Sequence, residues 1–261
     1  MTVRWLREFW TYRELFLFLV WKDVKVRYKQ TLLGASWAVI QPFFSMLVFS
    51  LFFGKLAGMP SDGVPYPVFA YAALVPWTYF STALQFSGNS LVANSNLVSK
   101  VYFPRVALPA SAALAGLVDF TIASVVLGGI MLYYRIAPSW ELMFWPVLVL
   151  PVMLLVLGVG MILSALNVKY RDVKYAIPFA MQIWLFLTPI IYPASIVPER
   201  FRPLAALNPL TGLIDAFRAA LLPNRAIDWA SVGFSVVVIL VVLILGATYF
   251  RNSERQFADV I

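Results

Sequence analysis

Apolar residues in this chain run in long blocks delimited by charges, rather than alternating with polar residues. No charged residue lies between Lys29 and Lys55 or between Asp62 and Lys100, and Val106 to Tyr134 carries only Asp119. Three more charge-free windows run from Glu141 to Lys169, from Lys174 to Glu199 and from Asp228 to Arg251. Crossing about 30 Å of hydrocarbon at 1.5 Å per residue takes about 20 apolar residues. The pattern therefore predicts six spans, at about 33–54, 66–88, 106–134, 143–167, 175–192 and 230–250.

The segments between these blocks carry their own signals. Residues 12–29 predict an interfacial helix, with Leu17, Trp21, Val24 and Tyr28 on one stripe and Lys22, Lys25 and Lys29 on another face. A plain basic lead-in to the first span is the alternative. Thr31-Leu32-Leu33-Gly34 follows as a bend, since glycine tolerates backbone angles that other residues resist. After the second span, Asn94, Ser95, Asn96 and Ser99 precede Lys100 and Phe103-Pro104-Arg105, which predicts a short helix over 94–102 or else a simple loop. Between Pro189 and Trp229, prolines at 189, 193, 198, 203, 209 and 223 forbid one straight helix. Within that stretch Asn208 suits an N-cap and Pro209 the first helical position, while Leu210, Leu213, Ile214, Phe217 and Leu221 share a face opposite Thr211, Asp215 and Arg218. At about 13 residues, roughly 20 Å, this helix is too short to span. With a second short helix before it, it predicts a re-entrant or surface hairpin over 198–222.

Composition agrees with a membrane protein: 62% of the 261 residues are hydrophobic and 12% charged, against about a quarter charged in soluble domains. The fold class expected is all-α integral membrane, a single domain with six spans, an N-terminal cytoplasmic interfacial helix and short outer helices between spans five and six. The formal charge of +8 is read first as orientation. Fourteen Lys and Arg fall on the side holding both termini: Arg4, Arg7, Arg13, Lys22, Lys25, Arg27, Lys29, Lys100, Arg105, Lys169, Arg171, Lys174, Arg251 and Arg255. Lys55, Arg135, Arg200, Arg202, Arg218 and Arg225 fall on the other. Both termini are thus expected in the cytoplasm, and anionic lipid accounts for the basic excess without nucleic acid. Leu15–Trp21 is a short apolar run with charged flanks and no small-residue cleavage site after it, so no cleaved secretory signal is expected.

Candidate chemistry is sparse. Without Cys or His, thiol catalysis, imidazole bases and the usual zinc sites are excluded by inventory. No GxxxxGK[ST] loop occurs, so ATP-derived energy must come from a partner. Asp119 is the one acid deep in a span and is expected to be structural, held by a donor from a neighbouring helix. Aromatic residues make up 16% of the chain. Many suit lipid-facing or interfacial positions, while some can line a sugar conduit, since aromatic faces pack on pyranose rings and Tyr and Trp keep a donor for hydroxyls.

Four stretches in register carry a family resemblance: Trp21-Lys22-Asp23-Val24-Lys25-Val26-Arg27-Tyr28-Lys29 followed by Leu33-Gly34 and Trp37; Lys100-Val101-Tyr102-Phe103-Pro104-Arg105 with Leu108-Pro109; Tyr170-Arg171-Asp172-Val173; and Asn208-Pro209 through Phe217-Arg218. Nearly the whole chain resembles the membrane subunits of ABC-2 type exporters, and within them the O-antigen, capsule and teichoic-acid polysaccharide exporters. The resemblance implies a homodimer in the bacterial inner membrane, bound by two copies of a P-loop ATPase subunit that hold the ATP and Mg, with no cofactor in this chain. It implies ATPase contacts through Trp21, Lys22, Lys25, Tyr28, Asn94, Ser95, Lys100 and Tyr102. Asn208, Pro209, Asp215, Phe217 and Arg218 would belong to an outer gate. The cargo would be a lipid-linked polysaccharide passing Trp37, Phe44, Tyr71, Trp77, Tyr79, Trp184 and Tyr192, with Arg27, Lys29 and Arg105 receiving the lipid diphosphate. The rivals are an exporter of small hydrophobic compounds, a membrane transferase, which would need an acidic cluster or a His at one face, and a passive anchor.

Overall fold

The computed structural model describes residues 11–29, 34–222, 225–254 and 257. Thr31, Leu32 and Leu33 of the expected bend, Pro223, and the basic residues Arg4, Arg7 and Arg255 lie outside the described residues. Ten α-helices are described: α1 (Arg13–Lys29), α2 (Trp37–Phe49), α3 (Tyr66–Ala93), α4 (Ser95–Lys100), α5 (Ala107–Tyr133), α6 (Trp145–Lys169), α7 (Val173–Leu187), α8 (Arg202–Leu207), α9 (Pro209–Leu221) and α10 (Trp229–Glu254). Gly34, at the end of the expected bend, has φ +51°, a left-handed angle that L side chains resist.

Four helical stretches among the described residues are long and apolar enough to cross a bilayer: Trp37–Leu56, Ala107–Tyr133, Trp140–Lys169 and Trp229–Glu254. The two other expected spans differ from them for identifiable reasons. Helix α3 has 28 residues, but Thr78, Ser81, Thr82, Gln85, Ser87, Asn89 and Ser90 dilute its apolar character. It is the central helix, packed against α5, α6, α2, α7 and α9, and several of its polar groups are paired inside the bundle. The Ser87 hydroxyl donates to Pro109 O at 3.2 Å, and Asn167 of α6 donates to Gly88 O and to Asn89 Oδ1 at 3.2 and 3.0 Å. Helix α7, expected over 175–192, stops at Leu187 after 15 residues. Thr188 turns extended (φ −99°, ψ 139°) because the following Pro189 disfavours the helical region for the residue before it.

At the α8–α9 pair, the Asn208 side chain accepts from Leu210 N at 3.2 Å and Pro209 opens α9, as its residue types predict. The core of the bundle's far end is aromatic. The Trp145 ring lies 4.8 Å from Phe217 and 6.1 Å from Phe120, and Tyr79 lies 5.9 Å from Phe120.

Helices α6 and α10 meet backbone to backbone where Gly158 faces Gly246; a Cβ built on Gly246 would stand 2.2 Å from Gly158 O. Small residues permit such approach within membranes, where packing rather than water exclusion holds helices together. Gly246→Val should therefore destabilise the fold by about 1–3 kcal/mol, the range for overpacking, read as a lower melting temperature in detergent, whereas Gly233→Val, with nothing near its Cβ position, should leave it unchanged.

Candidate functional site

Helix α1 runs beside the first half of α5, and the side chains joining them are mostly polar. Asp23 accepts from the Ser111 hydroxyl at 2.7 Å. Arg27 donates through Nη1 to Asp119 Oδ2 at 2.6 Å and through Nη2 to Ala112 O at 3.2 Å, with its guanidinium 4.3 Å from the centre of the Phe86 ring. The Tyr28 hydroxyl donates to the other Asp119 oxygen. Burial, and then the hydrogen bond to Asp119, push the Tyr28 phenol well above its ordinary pKa, so it stays a donor. The partners of Asp119 thus come from α1 rather than from another span. Leu17 and Trp21 point outward, 64% and 58% exposed, while Leu19, 1% exposed, is the apolar anchor. Leu19, Asp23 and Arg27 recur every four residues and share the inward face, where Ser111 and Asp119 supply complementary partners.

The same helix is fastened to α4. Lys22 Nζ donates to Asn94 Oδ1 at 2.5 Å, and Leu19 packs in one cluster with Val98, Phe103, Leu91 and Phe250. Asn94 spends its oxygen on Lys22 and makes no side-chain cap to α4. Ser95 is half-buried, while Lys100 and Tyr102 form an exposed tip and Val98 and Phe103 anchor it. Lys25 and Lys29 are exposed, with Lys25 Nζ 5.2 Å from the Trp21 ring centre. Arg105 is engaged, donating through Nη1 to Glu254 O at 2.6 Å. Beside Arg27 and Tyr28 lies a cavity of about 180 Å³ lined also by Trp37, Gln41, Thr78, Thr82 and Phe86.

At the opposite end Arg218 is fully buried, against the expectation that it shares a polar face with Thr211 and Asp215. It donates to Pro189 O and Ile190 O at 2.6 Å each and to Phe69 O at 3.3 Å, and it stacks 3.6 Å above the Phe69 ring centre. Backbone carbonyls freed where α7 breaks are its partners, which is why burial is tolerated. Asp215 accepts from Arg225 Nη2 at 2.6 Å, and Arg225 also reaches Asp62 in the loop before α3. Asn208 ties α7 to α9, accepting from Trp184 Nε1 at 3.0 Å and donating to Thr188 Oγ1 at 2.9 Å.

Of the aromatic residues, Trp37 and Phe44 are exposed, at 53% and 59%. Tyr71, Trp77 and Tyr79 are packed inside the subunit, and Trp184 and Tyr192 are half-buried. Among the described residues no group of acids forms a metal cage.

A family model for the ABC-2 type transporter matches residues 14–222. The chain belongs to that family. It is similar to the O-antigen export system permease protein RfbA of Myxococcus xanthus, 30% identical over 99% of this chain and 100% of that protein. It is also similar to an RfbA of Klebsiella pneumoniae, 27% identical over 95% of both, and to the polysialic acid transport protein KpsM of Escherichia coli, 23% identical over 90% of this chain and 91% of that one. With its apolar helices, it is a multi-pass membrane component of a transport system.

Sequence reasoning missed Asp23, Ser111, Arg225 and Asp62 as partners in these networks. The four-residue spacing of Leu19, Asp23 and Arg27 was the available signal for the first pair, and nothing local points from Arg225 to Asp62. Arg27→Met or Asp119→Leu alone should cost about 2 kcal/mol, because each leaves a partner charge partly buried, whereas the double replacement should recover at least half of that; melting temperatures of the three variants test the pairing.

Proposed function

We infer that the chain is the membrane subunit of an ATP-driven exporter that carries lipid-linked polysaccharide out of the cytoplasm across the bacterial inner membrane. The observation that carries this reading is end-to-end similarity to proteins named as O-antigen and polysialic acid export components. The subunit works as a homodimer with two copies of a separate P-loop ATPase, which bind the ATP and Mg. Six segments cross the membrane, α3 and α7 included, and both termini are cytoplasmic, in keeping with the basic excess at the α1–α4 end.

In this reading ATPase closure pushes on Lys100–Tyr102 and the outward face of α1 around Trp21 and Lys25. Because Lys22–Asn94 and the Leu19 cluster join α1 to α4, the two move as one body. Arg27 and Tyr28 pass that motion to Asp119 of α5. The next residue, Phe120, packs against Phe217 of α9 at 6.0 Å between ring centres, so displacement of α5 reaches the outer helices through contiguous contacts. Outer gating then rests on α8 and α9, with Asn208, Asp215 and Arg218 holding them to α7 and to the loop before α3. Of the seven aromatic residues expected along the path, Trp37 and Phe44 are the exposed ones and meet the glycan. Of the basic residues expected to receive a diphosphate, Lys29 alone is exposed, and Arg27 and Arg105 serve by exchanging the partners they now hold.

Purification of the tagged chain in mild detergent should bring down a P-loop ATPase at one copy per subunit, with hydrolysis stimulated by lipid-linked glycan. Stimulation by small hydrophobic compounds instead would replace polysaccharide as cargo, and absence of an ATPase would sink the exporter reading. Replacing Lys100–Tyr102 with Gly-Ser-Gly, which spares the anchors Val98 and Phe103, should leave the fold intact and lower glycan-stimulated hydrolysis by about tenfold, within the usual range of coupling energies.

A further inference from the structure

Away from the α1–α4 end, a cavity of about 530 Å³ opens between the segment Ala194–Val197, α8, α9 and the first turns of α10. Its volume falls in the roughly 300–1,000 Å³ range of small-molecule sites, and its walls carry both signs of charge. Arg202, whose neighbour Glu199 stands 3.5 Å away and is itself 89% exposed, lines one side. Asp228 lines the other, and hydrogen bonds from Ser231 hold its carboxyl below the usual range, so it is an anion. Between them the buried Thr211 hydroxyl has no hydrogen-bond partner among the described residues. Arg225, also on the wall, is engaged by Asp62 and Asp215.

The cavity is continuous with an exposed apolar surface. Phe234 on its wall begins an exposed apolar stripe with Val237 and Val241 at i+3 and i+7 down α10, each more than 40% exposed. Trp229, half exposed, sits at the helix mouth, a position favoured by indole at the membrane boundary. We propose that this cavity binds the head group of a zwitterionic phospholipid, a phosphoethanolamine, with its phosphate toward Arg202, its ammonium toward Asp228 and its acyl chains along Phe234, Val237 and Val241. Charge of both signs in one recess suits a zwitterion better than an anionic lipid, and the single wall aromatic, already beside the apolar stripe, offers no stacking platform of the kind a glycan uses. Asp228 caps α10 through Ala230 N and Ser231 N yet retains lone pairs for a further donor. The inference concerns lipid rather than cargo and stands apart from the function proposed above.

The test is native mass spectrometry of the full chain in detergent, offered phosphatidylethanolamine, phosphatidylglycerol or the soluble sugar maltohexaose. One phosphatidylethanolamine should be retained per chain in preference to phosphatidylglycerol. Arg202→Gln should weaken both lipids by about fivefold, the scale of a solvent-screened charged contact. Asp228→Asn, which preserves the helix cap, should abolish the preference between the lipids while leaving phosphatidylglycerol binding unchanged. Equal retention of the two lipids by the parent chain, a preference untouched by Asp228→Asn, or retention of maltohexaose in place of lipid would each overturn the proposal.

Discussion

A carboxylate twelve residues into α5 can exist in this bundle only because α1 brings a guanidinium and a phenol to it. Asp119, Arg27 and Tyr28 satisfy one another at the junction of two helices, and the rest of that end follows from the position this forces on α1. With Arg27 fixed, Asp23 falls opposite Ser111, Leu19 enters the cluster around Val98 and Phe103, and Lys22 meets Asn94. Helix α1 thus turns Asp23 and Arg27 toward the protein beside Leu19, and Leu17 and Trp21 outward. That arrangement is sensible where the surroundings include lipid, because ionic groups gain most by pairing inside while apolar ones lose little by facing out.

Membrane character and the broken segment before α10 were legible in the residues themselves, since charge-free length and proline positions act locally, whereas the end of α7 at Leu187 was not. Asn208-Pro209 predicted the start of α9 because capping is chemistry within four residues. The direction in which α1 faces was not legible. Periodicity grouped Leu17, Trp21, Val24 and Tyr28 on one stripe but did not say which face meets the protein, a choice that depends on partners 85 to 92 positions away. Arg218 misled for the same reason: a guanidinium reads as exposed until the carbonyls released by the break at Pro189 are known to surround it. Nor did composition reveal that Tyr71, Trp77 and Tyr79 fill the subunit core, because a buried aromatic and a conduit-lining one look alike in one dimension.

The two ends of the bundle are built from different materials. Near α4 the fastenings are pairs of side chains, adjustable by rotamer changes of long residues such as Lys22 and Arg27. At the far end rings pack on rings around Trp145 and Phe217 and the apolar face of α9 is fully enclosed, beside the polar contacts of Arg218 and Arg225. Close packing transmits displacement with little give, so the stiff end suits an element that changes position as a whole.

Arg218 grips the main chain of residues 189 and 190, not their side chains. Any residue type presents the same carbonyl oxygen, so this fastening is indifferent to what the side chains beyond Pro189 become. Ile190 and Ile191 are themselves buried, so packing limits what can stand there, but the hydrogen bonds that hold α9 to this segment do not depend on their side chains. The place where α7 breaks is thus also the place where α9 is fastened, so a shift of that backbone carries α9 with it.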